Sequence, residues 1–227
     1  MLNMIRPVQT RIAVTTFGAS FCSARGDVRR RRRRMATRPR PKQRLVKSAL
    51  TLVSQHGFAD AGLAELTAAS RASRNSLYQH FPGGKAELIE TSTGLAGRRL
   101  SRYIDAATST GDPYAWIDRF IELWKRVLVA SDYQTGCPVL AAALADGEPR
   151  VQAAATAVYE DCQQKVATAL ARSGADEKAA RVFASMLMSA VEGAVARSRA
   201  ARDVTPSTTS VTRCASCSTP SSPAPPR

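Results

Sequence analysis

Histidine is nearly absent: His56 and His80 are the only two among 227 residues. A histidine-built metal centre or a Ser/His/Asp relay is therefore starved of parts. Cysteine is also scarce, and its count of five is odd. That excludes a disulfide scaffold and fits a reducing compartment, so a cytoplasmic protein is expected. No run of 18 consecutive apolar residues occurs, so no membrane-spanning helix and no membrane partner are expected. No segment alternates apolar and polar residues long enough to make a strand. Acid is almost missing from one end: residues 1–44 contain Asp27 alone against 13 of the 33 Lys and Arg.

The formal net charge is +15 and the sequence pI is near 10.5, which points to a polyanion as partner. The excess is concentrated at the N-terminal end, and the rest of the chain is nearly balanced. Hydrophobic residues make up 44%, enough to bury a core. Arg29 to Arg34 is an unbroken basic run, followed at once by Met35. It reads as upstream sequence ahead of a start at Met35, as a basic arm gripping phosphates, or as a targeting segment. Each reading leaves residues 1–34 outside the fold. A non-specific nucleic-acid binder working through this arm is the alternative function.

From Pro41 the apolar residues recur at helical spacing. Leu45, Ala49, Leu52 and Val53 share one face, and Gly57 stops that helix with His56 in a capping position. Asp112-Pro113 supplies an N-cap and a first-turn proline for a helix striped with Trp116, Ile117, Phe120, Ile121, Trp124, Val127 and Leu128. A short apolar segment follows Cys137-Pro138. Pro149 opens a helix that Gly174 closes, and Asp176 caps another reaching to about Asp203. The class is all-α. Of the last 23 residues five are Pro, six Ser and five Thr, a composition that cannot bury a core. Cys214 and Cys217 form a lone CxxC there, without the further ligands a zinc site needs.

The function is legible between residues 63 and 85, LAELTAASRASRNSLYQHFPGGK. Leu63 and Leu66 lie one turn apart on a short helix that Asp60 or Gly62 caps. Ser70-Arg71-Ala72 is a tight break, and Ser73 N-caps a second short helix over Arg74 to Phe81. Leu77 and Phe81 turn inward together. Two short helices joined by so short a turn make a helix-turn-helix. Its outer face carries Arg74, Asn75, Ser76, Tyr78, Gln79 and His80, with no acid from Thr67 to Lys85. A plain surface helix does not account for that absence. Donors and acceptors of this kind meet base edges and phosphates.

These residues resemble the N-terminal domain of the TetR family of bacterial regulators. The matching pieces are Gly57-Phe58, Leu63-x-x-Leu66, Ser73-x-x-x-Leu77-Tyr78-x-x-Phe81 and Lys85. Pro82-Gly83-Gly84-Lys85, Gly136-Cys137-Pro138-Val139 and Glu192-Gly193-Ala194 are similar to the subgroup of the LmrA and YxaF repressors. The resemblance implies a homodimeric repressor with a three-helix DNA reader followed by a helical ligand-binding and dimerisation domain. It implies a double-stranded operator as one partner and a small-molecule inducer as the other. Carried over by position, Arg74, Asn75, Ser76 and Gln79 approach bases, and Tyr78, His80 and Lys85 hold phosphates, with Ser73 at the helix start. The chain departs from the family's habit at Ala61, Arg71 and Asn75. It also departs at its end, where the Ser/Thr/Pro tail stands in place of a final interface helix.

The expected division is a basic extension over 1–37, the helix-turn-helix domain over 38–84, the ligand and dimer domain over 85–204, and the tail over 205–227. Tyr103, Trp116, Phe120, Trp124, Leu140 and Met186, with Ala190 beside them, are candidates to line a ligand pocket. An aromatic stripe also buries an ordinary core helix, and that alternative stays open. Cys137 reads as a small apolar filler, since nothing basic adjoins it. Asp105, Asp112, Asp118 and Glu122 read as caps or solvated charges. No nucleophile–base pair is visible, so neither an enzyme nor a cofactor is expected.

Overall fold

The structure, a computed structural model, describes residues 40–110 and 112–206. The arginine run, Met35 and the Cys214/Cys217 pair lie outside them. Among the described residues there are eight helices and no strand: α1 (Pro41–Asp60), α2 (Leu63–Ser70), α3 (Arg74–His80), α4 (Gly84–Ala107), α5 (Pro113–Ala130), α6 (Pro138–Ala143), α7 (Pro149–Arg172) and α8 (Glu177–Ala201).

Local chemistry sets most of these boundaries. Proline opens α1, α5, α6 and α7, where its missing N–H costs nothing. Asp112 accepts the Ala115 amide at 3.0 Å, and Asp176 accepts the Ala179 amide at 2.9 Å. Gly57 sits at φ +83° and takes α1 out of regular helix three residues before its end. His56 does not cap that helix; its Nε2 lies 3.8 Å from Glu65 on α2. The acidic partner lies on the next helix, beyond the pattern of α1 alone.

α1, α2 and α3 form the head. Leu45, Ala49, Leu66, Leu77 and Phe81 are buried there, as part of one core that continues into the body. α4 leaves the head and runs into the body, where it packs chiefly along α7. The two backbones cross so closely at Gly97 that a Cβ there would meet Val158 Cγ2 at 2.4 Å. α6 lies between α1, α4 and α7, and α8 packs along α7. α5 is the outlying helix, touching the body through α8 and the end of α4.

α7 and α8 are a pair of 24 and 25 residues joined by the short 173–176 turn. The two pack along each other. The tail expected to stand in place of a further interface helix lies, beyond residue 206, outside the described residues.

Candidate nucleic-acid interface and ligand groove

The head closes around a three-residue turn. Arg71 adopts φ +50°, ψ +43°, and the Arg71 and Ala72 amides donate to the Ala68 and Thr67 carbonyls. This left-handed conformation is the reason a glycine suits the position. Here an arginine bears it, supported by Arg44, whose Nε donates to the Ser70 carbonyl at 2.9 Å. Ser73 then starts α3, its hydroxyl accepting the Ser76 amide at 3.0 Å. That hydroxyl is a cap before it is anything else.

Leu77 and Phe81 anchor α3 from below. The opposite face carries Arg74, Asn75, Tyr78 and Gln79 exposed, with Ser76 and His80 half-buried at its edges. All six lie on one seven-residue helix. Arg74 stands exposed in the first turn of α3. Lys42, which sequence reasoning passed over, places its ammonium 5.4 Å from the Phe81 ring centre and so beside the C-terminal end of α3. Its position in the basic first turn of α1 was the available signal.

Lys85 is placed differently from the rest. Its Nζ donates to the Ala59 carbonyl at 3.1 Å and sits 4.3 Å from the Phe58 ring centre. Burial lowers its pKa, against the opposing pull of Glu148 and Asp60. The ammonium is already committed to fastening the end of α1 onto α4.

The aromatic residues of the body do not gather around an open space. Trp116 and Phe120 are buried, and the Trp116 Nε1–H donates to the Thr110 carbonyl at 3.1 Å. Tyr103 donates to the Arg119 carbonyl and stacks edge-on against Phe120 with ring centres 5.5 Å apart. The void among Trp116, Ile117, Phe120, Phe183 and Leu187 is about 10 Å³, at the lower limit for one water. Trp124 packs half-buried against the same core. Leu140 belongs to α6 and to the α1–α4–α7 side of the body. Of the six candidates, Trp116 borders a polar cleft of about 690 Å³ beside Asp105 and Lys165, and Met186 borders an apolar cavity of ligand size.

That cavity is a groove of about 590 Å³ between the first turns of α5 and α8. Tyr114, Ile117, Leu170, Val182, Phe183 and Met186 wall it, and Asp176 and Lys178 stand at its rim. The size and apolar lining suit a small organic molecule. Trp116 and Phe120 lie on α5 beside this groove but pack inward, because a period of 3.6 marks which residues are apolar and not where packing leaves a gap.

A third polar feature is buried in the body. The Tyr159 hydroxyl donates to Glu192 Oε1 at 3.0 Å, and the Cys137 thiol is hydrogen-bonded to the same carboxylate. Glu192 Oε2 is buried with no hydrogen-bond partner. Burial raises the Glu192 pKa and drives the Cys137 thiol well above its ordinary value; Cys162 is pushed up to about 12, also by burial. Both thiols are free and buried.

Comparison with known proteins places this geometry. Residues 45–91 match the family of bacterial regulatory proteins named for TetR, and residues 113–209 match the C-terminal domain of LmrA/YxaF-like transcriptional regulators. An HTH-type transcriptional regulator of Mycobacterium tuberculosis is 28% identical over 173 residues, 73% of this chain and 88% of that one. The HTH-type transcriptional regulator LmrA of Bacillus subtilis is 25% identical over 168 residues, 73% of this chain and 89% of its own length. Among solved structures, a TetR transcriptional regulator from Legionella pneumophila superposes with a TM-score of 0.69 at 16% identity, covering 80% of this chain and 98% of that one. A TetR regulatory protein from Rhodobacter sphaeroides gives 0.68 at 19% identity, covering 76% and 95%. A head built on a helix-turn-helix and a helical body of matching kind identify the chain as a DNA-binding transcriptional regulator of the TetR family, with an LmrA/YxaF-like C-terminal domain.

Proposed function

We infer that the protein is a homodimeric repressor, acting in the cytoplasm, that reads an operator through α3 and leaves it when a hydrophobic small molecule binds the body. The face of α3 carries this reading. Arg74, Asn75, Ser76 and Gln79 supply the groups that meet base edges, and Tyr78, His80 and Lys42 flank them as phosphate contacts. Lys85 contributes by holding the head in shape, since its ammonium already has a carbonyl and a ring.

The ligand reading rests on the groove between α5 and α8. An occupant wedged between Tyr114 of α5 and Phe183 of α8 would push the two helices apart. To empty an operator the ligand must prefer the shifted conformer by several kcal/mol. Trp116 and Trp124 on α5 report on that wall. A panel of lipophilic compounds should contain members that quench tryptophan fluorescence and weaken binding to a duplex selected by the protein from a random pool. A full panel that does neither would refute ligand control. Removing residues 1–34 separates the operator reading from binding through the arginine run: the truncated protein should still prefer the selected duplex over a scrambled one.

A further inference from the structure

The end of α8 reaches back to the head. Gly57 leaves helical geometry, so the carbonyls of the turn before it are open to other donors. Two of them are met from the body. The Gly136 amide donates to the Ser54 carbonyl at 2.8 Å, and Arg199 Nη2 donates to the Gln55 carbonyl at 3.0 Å. The same Arg199 nitrogen donates to the Gln134 carbonyl at 2.9 Å, while its Nε faces the Tyr133 carbonyl at 3.4 Å.

The segment so held is an unusual one. Asp132 and Tyr133 both have positive φ, +49° and +60°, a conformation that non-glycine residues keep only when their surroundings impose it. Arg202 adds a 2.7 Å ion pair to Asp132 and lies 5.9 Å from the Tyr133 ring centre. A Cβ at Gly136 would stand 2.7 Å from Arg199 Nη1, so the guanidinium would have to move to admit one.

We propose that Arg199 is a positioning residue for operator binding, capping α1 from the end of α8 through the strained 132–136 segment and so fixing the head against the body. Arg199 touches no base and no phosphate in this role. Its planar fork serves three carbonyls that belong to α1 and to the segment itself, which a lysine's single ammonium matches poorly. One helix then carries both ends of the device. The first turns of α8 wall the groove, and its last turns hold the head. This last step rests on the ligand reading above, whereas the cap itself does not.

The test uses the full chain carrying Arg199→Ala, Arg199→Lys or Gly136→Ala, the last driving a Cβ into the guanidinium. Hydrogen exchange is read over α1 to α3 and over the body, alongside binding to a selected duplex bearing two half-sites and to the same duplex reduced to one. Arg199→Ala should speed exchange at the end of α1 by at least tenfold. It should weaken the two-site duplex by tenfold or more and leave the single half-site within about twofold, since the reading face of α3 is untouched. Arg199→Lys should fall between Ala and wild type. Gly136→Ala should follow Arg199→Ala, which keeps the proposal testable if the latter folds poorly. Unchanged exchange at the end of α1 in both substitutions, or equal losses on the two duplexes, would overturn it. If exchange rises as expected while the wild-type protein selects no duplex, the cap stands and the operator reading falls.

Discussion

Arg74 and Lys85 show how far a residue's type leaves its task open. Both are basic, one opening the short α3 and the other just beyond it, yet Arg74 is exposed on the reading face and Lys85 is fastened to the Ala59 carbonyl and the Phe58 ring. An exposed guanidinium in the first turn of a recognition helix can take guanine O6 and N7 together. Arg74→Ala should therefore cost about 1–3 kcal/mol per half-site and relax preference at one base position. A lysine that gripped a phosphate would, on removal, lower the salt slope by roughly one per subunit. The committed ammonium of Lys85 predicts instead that Lys85→Ala leaves the slope nearly unchanged and lowers the melting temperature. Titrations of both variants against selected and scrambled duplex at two salt concentrations decide this. A full unit lost from the slope of Lys85→Ala would return that residue to the phosphate contacts.

Elements differ in how plainly their sequence announces them. The helix-turn-helix was legible because its signals are local: Ser73 as a cap, Leu77 and Phe81 four apart, a break at Ser70-Arg71-Ala72. The stripe on α5 was equally legible as a helix face, but Trp116 and Phe120 went to the core and the groove opened beside Tyr114 and Met186. Where two helices fail to close on each other depends on their crossing, which no single stripe encodes. The Glu192 cluster is a second case, since it joins α8, α7 and the N-cap of α6 from positions 192, 159 and 137. Its consequence is a pH dependence. Burial holds the Glu192 carboxyl above its ordinary value of 4.5, against weaker opposing hydrogen bonds from Cys137 and Tyr159. A carboxyl of this kind binds its proton more tightly folded than unfolded. It therefore adds stability as pH falls through its raised value toward the ordinary one, and removes it as pH rises. Thermal melts of wild type and Glu192→Gln between about pH 5 and pH 8 should show a gain toward low pH that the variant lacks. Parallel profiles would mean that Glu192 is solvated in solution.

For the whole molecule the open question is what covers α8. By length and composition this helix is apolar enough to cross a membrane, with a mean hydropathy of 1.3 over its most apolar stretch, yet only 39% of that stretch is buried within the chain. One face packs inward through Ala184, Leu187, Val191, Ala194 and Val195. The other presents Val182, Met186, Ser189, Gly193, Ala196 and Ala200, all exposed. Their alternate spacing of four and three is the seam spacing of one helix laid against another. The small residues Gly193 and Ala196 lie on this seam and would let a partner helix approach closely, while Ala194 packs in the core. A second copy of the chain is the occupant that the family reading supplies, and two heads about one DNA turn apart, roughly 34–36 Å, are what a two-fold operator needs. Ala196→Glu puts a charge in the middle of the seam, where a partner helix would have to bury it. It should turn the dimer into a monomer in sedimentation velocity at micromolar concentration without lowering the melting temperature of the single chain. Operator affinity should drop by roughly 10²-fold or more, because the second half-site is no longer bound as part of the same molecule. A variant that still sediments as a dimer would move the interface off this face of α8. A wild-type chain that is monomeric both free and on its operator would remove the dimer altogether and leave the exposed seam to a partner of another kind.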